Sequence, residues 1–259
     1  VVYPGWTNDA SIILQPVRHT LQQFGTVTGV IPSGTYDHDV VSGSVHQHLL
    51  NGQFEEVILI GCSLGAMTAM DYIRHYAGGL APFKIKLLFN CGVVSVEDVR
   101  RDFRLLVKYG SPILRGGPAL DRFYPRLAEH FFEHDRPIPL EEGPDGHDPA
   151  ALERHHLAMW HCPTRLSMSQ LRALRTSRPL YPGELDGIPT GIIAYEDDQM
   201  VDPSAVERQK DAGDNYYQFL KLPGYGHDDW VERPRQGNEA LSQVLIKLCQ
   251  RNVPWPIEG

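Results

Sequence analysis

Residues 57–67 read Val-Ile-Leu-Ile-Gly-Cys-Ser-Leu-Gly-Ala-Met, and their order decides how the rest of the chain is read. The apolar run Val57–Ile60 predicts a short buried strand. It meets Gly61-Cys62-Ser63-Leu64-Gly65, a G-x-S-x-G motif, and a segment rich in small residues then continues as a predicted helix from Ala66 to about Tyr76. Strand, sharp turn and helix in that order describe a nucleophile elbow, whose strained turn lifts the Ser63 hydroxyl above the sheet edge. Glycines on both sides remove Cβ atoms that would clash there. The competing reading is a glycine-rich turn whose serine only caps the following helix.

The 259 residues suit one large α/β domain with a small inserted subdomain. Hydrophobic residues make up 42% of the chain, ample for a core. With 24 basic against 32 acidic residues and no long basic run, the net charge is -8, which disfavours nucleic-acid binding. No apolar stretch reaches the roughly 18 to 20 residues that span a bilayer. Cys62, Cys91, Cys162 and Cys249 are scattered and form no C-x-x-C pair. A disulfide framework is therefore not expected, and a reducing, cytoplasmic setting is. The chain opens on Val1-Val2-Tyr3-Pro4-Gly5, which reads as the middle of a fold, so residues upstream are expected to be missing.

Short β-branched or apolar runs predict strands at Val1–Tyr3, Thr26–Ile31, Glu56–Ile60, Ile85–Phe89, Thr190–Ala194 and Tyr217–Lys221. Helical patterns lie between them at about Ile12–Phe24, Val40–Leu50, Gly65–Tyr76, Ser204–Ala212 and Glu239–Gln250. Strands interleaved with helices argue for a mostly parallel sheet with helices on both faces, with ligands beyond the carboxyl ends of its strands. The stretch 95–186 breaks this rhythm: it is rich in Arg, His and Pro, with helical patterns but no clear strand. Residues 1–94 and 187–259 are accordingly expected to form the core, and 95–186 a helical lid or cap inserted between two strands.

A serine hydroxyl needs a base to take its proton, and the base needs a partner that orients it and stabilises its charge. An acid-bearing strand end follows Ile192-Ile193-Ala194, as Tyr195-Glu196-Asp197-Asp198-Gln199-Met200-Val201-Asp202. A glycine–histidine loop follows the last predicted strand, as Leu222-Pro223-Gly224-Tyr225-Gly226-His227. An imidazole suits the base because its unperturbed pKa lies near working pH. Read from the residues alone, Glu196, Asp197, Asp198 and Asp202 all remain candidates for the acid. One of them can instead cap the helix predicted from Ser204.

The order serine, acid, histidine resembles that of the α/β-hydrolase superfamily, and the resemblance covers nearly the whole chain. It implies an α/β-hydrolase fold with a helical cap, Ser63 as nucleophile and His227 as base. In that family the acid follows a strand in a Gly-x-x-Asp pattern. Tyr195 stands at the glycine position here, which implies Asp198 as the acid. The Leu64 amide, at the positive end of its helix, should supply one arm of an oxyanion hole. The family's second donor follows a His-Gly-x turn; this chain has Pro4-Gly5-Trp6-Thr7, which implies Trp6, with Thr7 as the fallback.

The resemblance further implies a serine hydrolase acting on a small-molecule carboxylic ester or thioester, with acyl transfer as an alternative and no cofactor or metal. Aromatic residues of the cap, such as Phe103, Phe123 and Trp160, suggest an apolar acyl group. A non-hydrolytic enzyme or binding protein on the same scaffold is the other alternative, motivated by Pro4 and Tyr195 at positions where the family carries other residues. Cys62 is expected beneath Ser63 facing the core, and Cys91 is read as a buried bystander bordering the pocket. His130-Phe131-Phe132-Glu133-His134 matches H-x-x-E-H, and His155, His156, His161 and Cys162 cluster loosely, but neither set supplies an identifiable complete zinc site.

Overall fold

The computed structural model describes residues 1–5, 14, 17–31, 36–77, 82–105, 107–108, 164–214, 216–227 and 229–250. Its five strands are β1 (Val2–Tyr3), β2 (Glu56–Cys62), β3 (Lys84–Asn90), β4 (Thr190–Tyr195) and β5 (Tyr216–Leu222). They form one parallel sheet in the order β1-β2-β3-β4-β5. The helices used below are α1 (Arg18–Gln22), α2 (His38–Gly52), α3 (Gly65–Tyr72), α4 (Arg101–Leu105), α5 (Thr164–Thr176), α6 (Pro203–Arg208), α7 (Asp229–Glu232) and α8 (Pro234–Gln250). Among the described residues no helix is long and apolar enough to cross a membrane.

The register assigns the helices to the two faces. Ile60, Leu88 and Gly191 form one cross-strand row, and Gly61, Phe89 and Ile192 form the next. Adjacent rows point to opposite faces of a sheet. A Cβ on Gly61 would strike the α3 backbone at Ala66, 2.5 Å away, while one on Gly191 would strike Val244 of α8 at 2.3 Å. Helices α3 and α8 therefore cover opposite faces, each seated where a glycine lets it approach. Along α8, Ala240, Leu241, Val244, Leu245 and Leu248 are all buried, the i, i+4 spacing of a single apolar stripe.

Two boundaries depart from the sequence expectation for local reasons. The predicted strand Thr26–Ile31 is reduced to a single parallel bridge, Val2 to Gly29, held by Val2 N–H donating to Thr28 O and Val30 N–H donating to Val2 O. Its neighbour β1 stops at Tyr3 because Pro4 has no N–H with which to extend the ladder. Helix α8 starts at Pro234, five residues before the predicted start at Glu239, because proline fits a first helical turn whose N–H groups lack partners anyway.

The bridge beside Val2 also reverses the direction of strand addition. From β1 the chain goes first to Gly29 on one side and then to β2 on the other. The carboxyl ends of β1 and β2 thus flank the switch point at which open α/β sheets bind ligands. Within 95–186 the described residues include α4, α5 and the short 3-10 turn Val96–Asp98, and they meet the rest of the fold through the antiparallel bridge Val99–Val201, through Leu185 N–H donating to Ala212 O at 2.8 Å and through the Arg74–Glu184 ion pair at 2.7 Å.

Candidate active site

Ser63 follows β2 directly and carries φ 49°, a left-handed backbone that costs a residue with a side chain of order 1–3 kcal/mol. The turn is held from both sides. Ser63 N–H donates to Asn90 O of β3 at 2.9 Å, and Ser63 O accepts from Val93 N–H at 2.8 Å and Ala66 N–H at 3.1 Å. Gly65 is compelled by β1: a Cβ there would lie 2.1 Å from Tyr3 O and 2.6 Å from Pro4 O. Leu64 stands at the N-cap just before α3 and its side chain does not cap the helix, and among the described residues its N–H meets no backbone acceptor. That leaves a donor free at the positive end of a helix, beside the serine.

The serine hydroxyl meets the imidazole of His227, with Oγ 3.0 Å from Nε2. On its other side, His227 Nδ1 lies 2.7 Å from Asp198 Oδ2. A carboxylate only accepts, so Nδ1 carries the hydrogen and Nε2 is left to accept from the serine. Asp198 is wholly buried. Its Oδ1 accepts from the N–H groups of Met200 at 2.8 Å and Val201 at 2.7 Å, an Asx-type turn that aims Oδ2 at the histidine.

The other acids of this loop do different work. Asp202 caps α6, accepting from Ser204 N–H at 2.9 Å, and Glu196 pairs with Lys221 at 3.1 Å. Asp197 is tied through its backbone, its N–H donating to Tyr225 O at 3.0 Å. Tyr195, at the position where the resemblance implied glycine, is buried and donates its hydroxyl to Asn90 Oδ1 at 2.7 Å.

Several contributors escaped the sequence reading. Cys91 is buried as expected, yet its thiol donates to Asp198 Oδ2 across 2.7 Å. Burial, reinforced by the adjacent Asp198 charge, pushes that thiol well above its usual range, so it stays protonated and can only donate to the carboxylate. Arg100 Nε donates to the Asp198 carbonyl. On the histidine side, Tyr225 donates to Asp229 O and Arg233 O, each at 2.8 Å, while the Asp229 carboxylate accepts from Gly226 N–H and from Arg233. These contacts brace the loop that presents His227. None of them has a local sequence signature. Cys62 faces the core beneath the serine, and burial pushes its thiol up to about 12.

Above Ser63 and Leu64 lies a small cavity of about 20 Å³ whose other walls are apolar, including Val99, Phe103, Leu171, Leu174 and Met200. Part of this wall comes from α4 and α5, both within 95–186. A larger cleft of about 260 Å³ lies against Val1, Phe24, Phe54 and Leu245, away from the serine, and carries none of these groups. Trp6 and Thr7 fall outside the described residues, as do His130, Glu133, His134, His155, His156, His161 and Cys162. Among the described residues, one group of metal-ligand type converges: atoms of Cys91, Asp198 and His227 within 4.8 Å of one another. A cation there would need the Cys91 thiolate, which burial beside a carboxylate opposes, and would have to compete for the oxygen that already holds His227.

The model of the "Alpha/beta hydrolase family" matches residues 16–240 of this chain. None of the curated proteins matches it in sequence. Among solved structures, the enol-lactonase of Burkholderia xenovorans is similar with a TM-score of 0.68 at 14% identity, over 96% of this chain and 90% of that one. A carboxylesterase of Bacillus subtilis gives 0.64 at 14% identity, over 96% and 83%. A bromoperoxidase of Bacillus anthracis gives 0.65 at 17%, over 94% and 90%. At such identities the likeness carries the fold and nothing finer.

Proposed function

Because this chain belongs to the alpha/beta hydrolase family, we propose that it is a serine hydrolase that cleaves a carboxylic ester or thioester of an apolar acyl group. The observation that carries the reading is the unbroken relay from Ser63 Oγ through His227 to a buried Asp198, with 3.0 Å and 2.7 Å links. Each member stands just past the carboxyl end of a different strand. A capping serine has no need of a left-handed backbone or of a histidine bonded to a buried acid.

In this mechanism Ser63 gives its proton to His227 Nε2 as Oγ bonds to the acyl carbon, and the carbonyl electrons move onto oxygen. Asp198 keeps the imidazole in the required tautomer and stabilises the imidazolium. The Leu64 N–H donates to the oxyanion, and Trp6, with Thr7 as the alternative, supplies the second donor from the loop after β1. Collapse expels the alcohol or thiol, which takes the proton from Nε2. Water, deprotonated by His227, then attacks the acyl-enzyme and releases the acid. Residues 95–186 serve as the cap, and the apolar wall from Phe103, Leu171 and Leu174 receives the acyl group.

A fluorophosphonate probe and a panel of acyl esters and thioesters test this. Wild type should label and turn over; Ser63→Ala should lose labelling and on the order of 10⁶-fold in kcat. Equal labelling of the two proteins, or hydrolysis that survives in Ser63→Ala, would sink the proposal.

A further inference from the structure

Cys91 occupies an unfavourable backbone for a reason the fold alone does not supply. It follows the last residue of β3 and carries φ 49°, a conformation that glycine or asparagine adopts at less cost. Its N–H is fixed to Ile193 O of β4 at 2.7 Å, so the strained turn is held rather than loose. From it the thiol reaches Asp198 Oδ2, the same oxygen that accepts from His227. Strain of this kind persists where neighbouring structure imposes it, and it gathers at working sites.

We infer that Cys91 is a positioning residue for the acid, its thiol acting as a fourth donor that holds Asp198 Oδ2 in line with His227 and tempers how strongly that oxygen stabilises the imidazolium. The inference rests on the serine-hydrolase reading for its consequence in turnover, though not for its consequence at the histidine. The four donors divide evenly: Met200 and Val201 N–H on Oδ1, His227 Nδ1–H and the Cys91 thiol on Oδ2. Removing the thiol leaves Oδ2 with a single donor and more electron density to offer His227. The imidazolium is then better stabilised, and the histidine holds its proton to higher pH. No variant replaces any of the other ionisable groups around the pair. They are Arg100 on the Asp198 carbonyl, the Tyr195 and Tyr225 phenols, Cys62, and Asp229 with Arg233 beside the histidine loop.

The test is NMR titration of the His227 ring in full-length protein, assigned by its loss in His227→Gln, for wild type, Cys91→Ala, Cys91→Gly and Cys91→Ser. Glycine accepts the left-handed backbone without strain, so it supplies a donor-free variant even where alanine fails to fold. Cys91→Ala and Cys91→Gly should raise the His227 titration by about half a unit or more, and Cys91→Ser, which restores an O–H donor, should return it toward wild type. The acidic limb of kcat/KM should move by the same amount, about threefold in rate at a pH below it. An unchanged His227 titration in both donor-free variants overturns the inference, whatever their stability. Absence of Ser63-dependent turnover alongside the shifted titration would instead fault the hydrolase reading and leave the role of Cys91 standing.

Discussion

Gly65→Ala should damage the protein out of proportion to one methyl group. The new Cβ would sit 2.1 Å from Tyr3 O, against 3.4 Å for an ordinary contact, so the two must separate by about 1.3 Å. Both sides of the clash are backbone, and no rotamer change relieves it. Either β1 retreats from β2, where it is held by pairing of Tyr3 with Gly61, or the first turn of α3 tilts outward. Overpacking of this kind costs about 1–3 kcal/mol, slightly offset by the reduced freedom of the unfolded chain. For a domain of this size that lowers Tm by about 3–10 °C. The same turn carries Leu64 N–H and follows Ser63 directly, and a misplacement near 1 Å costs on the order of 10²-fold in rate. Differential scanning calorimetry with timed fluorophosphonate labelling measures both. Gly224→Ala is the control: at φ +66° with nothing within 4 Å of its Cβ, it should cost only about 1 kcal/mol and barely change labelling. A Gly65→Ala protein that melts with wild type and labels at the wild-type rate would refute the packing argument.

Asp198→Asn keeps the shape of the acid but gives it an NH₂ that must face a donor, either the Met200 and Val201 amides or His227 with Cys91. It should lose on the order of 10⁴-fold in kcat, read in a steady-state ester assay, and about 1–3 kcal/mol in urea unfolding. Asp98 provides a pH signature away from the serine. Burial pushes its carboxyl from 3.8 up to about 6, although it accepts from Val94 and Ser95 N–H. Between those values the folded protein binds the proton and the unfolded chain releases it, so this contribution to stability falls as pH rises through the window, by about 3 kcal/mol in all. Urea unfolding of wild type and Asp98→Asn at several pH values should diverge by that amount between pH 4 and 7; parallel curves would exclude it.

What could be read from the sequence follows how far each residue's reason lies from it along the chain. The elbow at 61–65 was legible because its demands are local: an apolar run, a left-handed turn and a helix start within eleven residues. Even there, only the tertiary structure says what Gly65 avoids, namely the carbonyl of Tyr3. The strand predicted at Thr26–Ile31 was misjudged for the converse reason. Its β-branched residues favour a strand, but a strand needs a neighbour, and β1 ends at Tyr3, just before Pro4. Cys91 was read as a bystander because its contact with Asp198 spans 107 residues and exists only once β3 and β4 lie side by side.

The acid divides between the two cases. Four carboxylates lie within seven residues, and the Gly-x-x-Asp register singled out Asp198 although Tyr195 stands where that pattern has glycine. The geometry offers a local reason that does not depend on that glycine. Asp198 accepts from the N–H groups two and three residues ahead, Met200 and Val201, and such a turn sets the side-chain direction from sequence neighbours alone. Asp202 makes the same kind of contact with Ser204, two residues ahead, but spends it on the start of α6. What separates the two is therefore not the turn but what the remaining oxygen faces: for Asp198 a histidine and a protonated thiol, brought from β5 and β3. The direction of the acid is written in its own loop, while its chemical setting is written in the order of the strands.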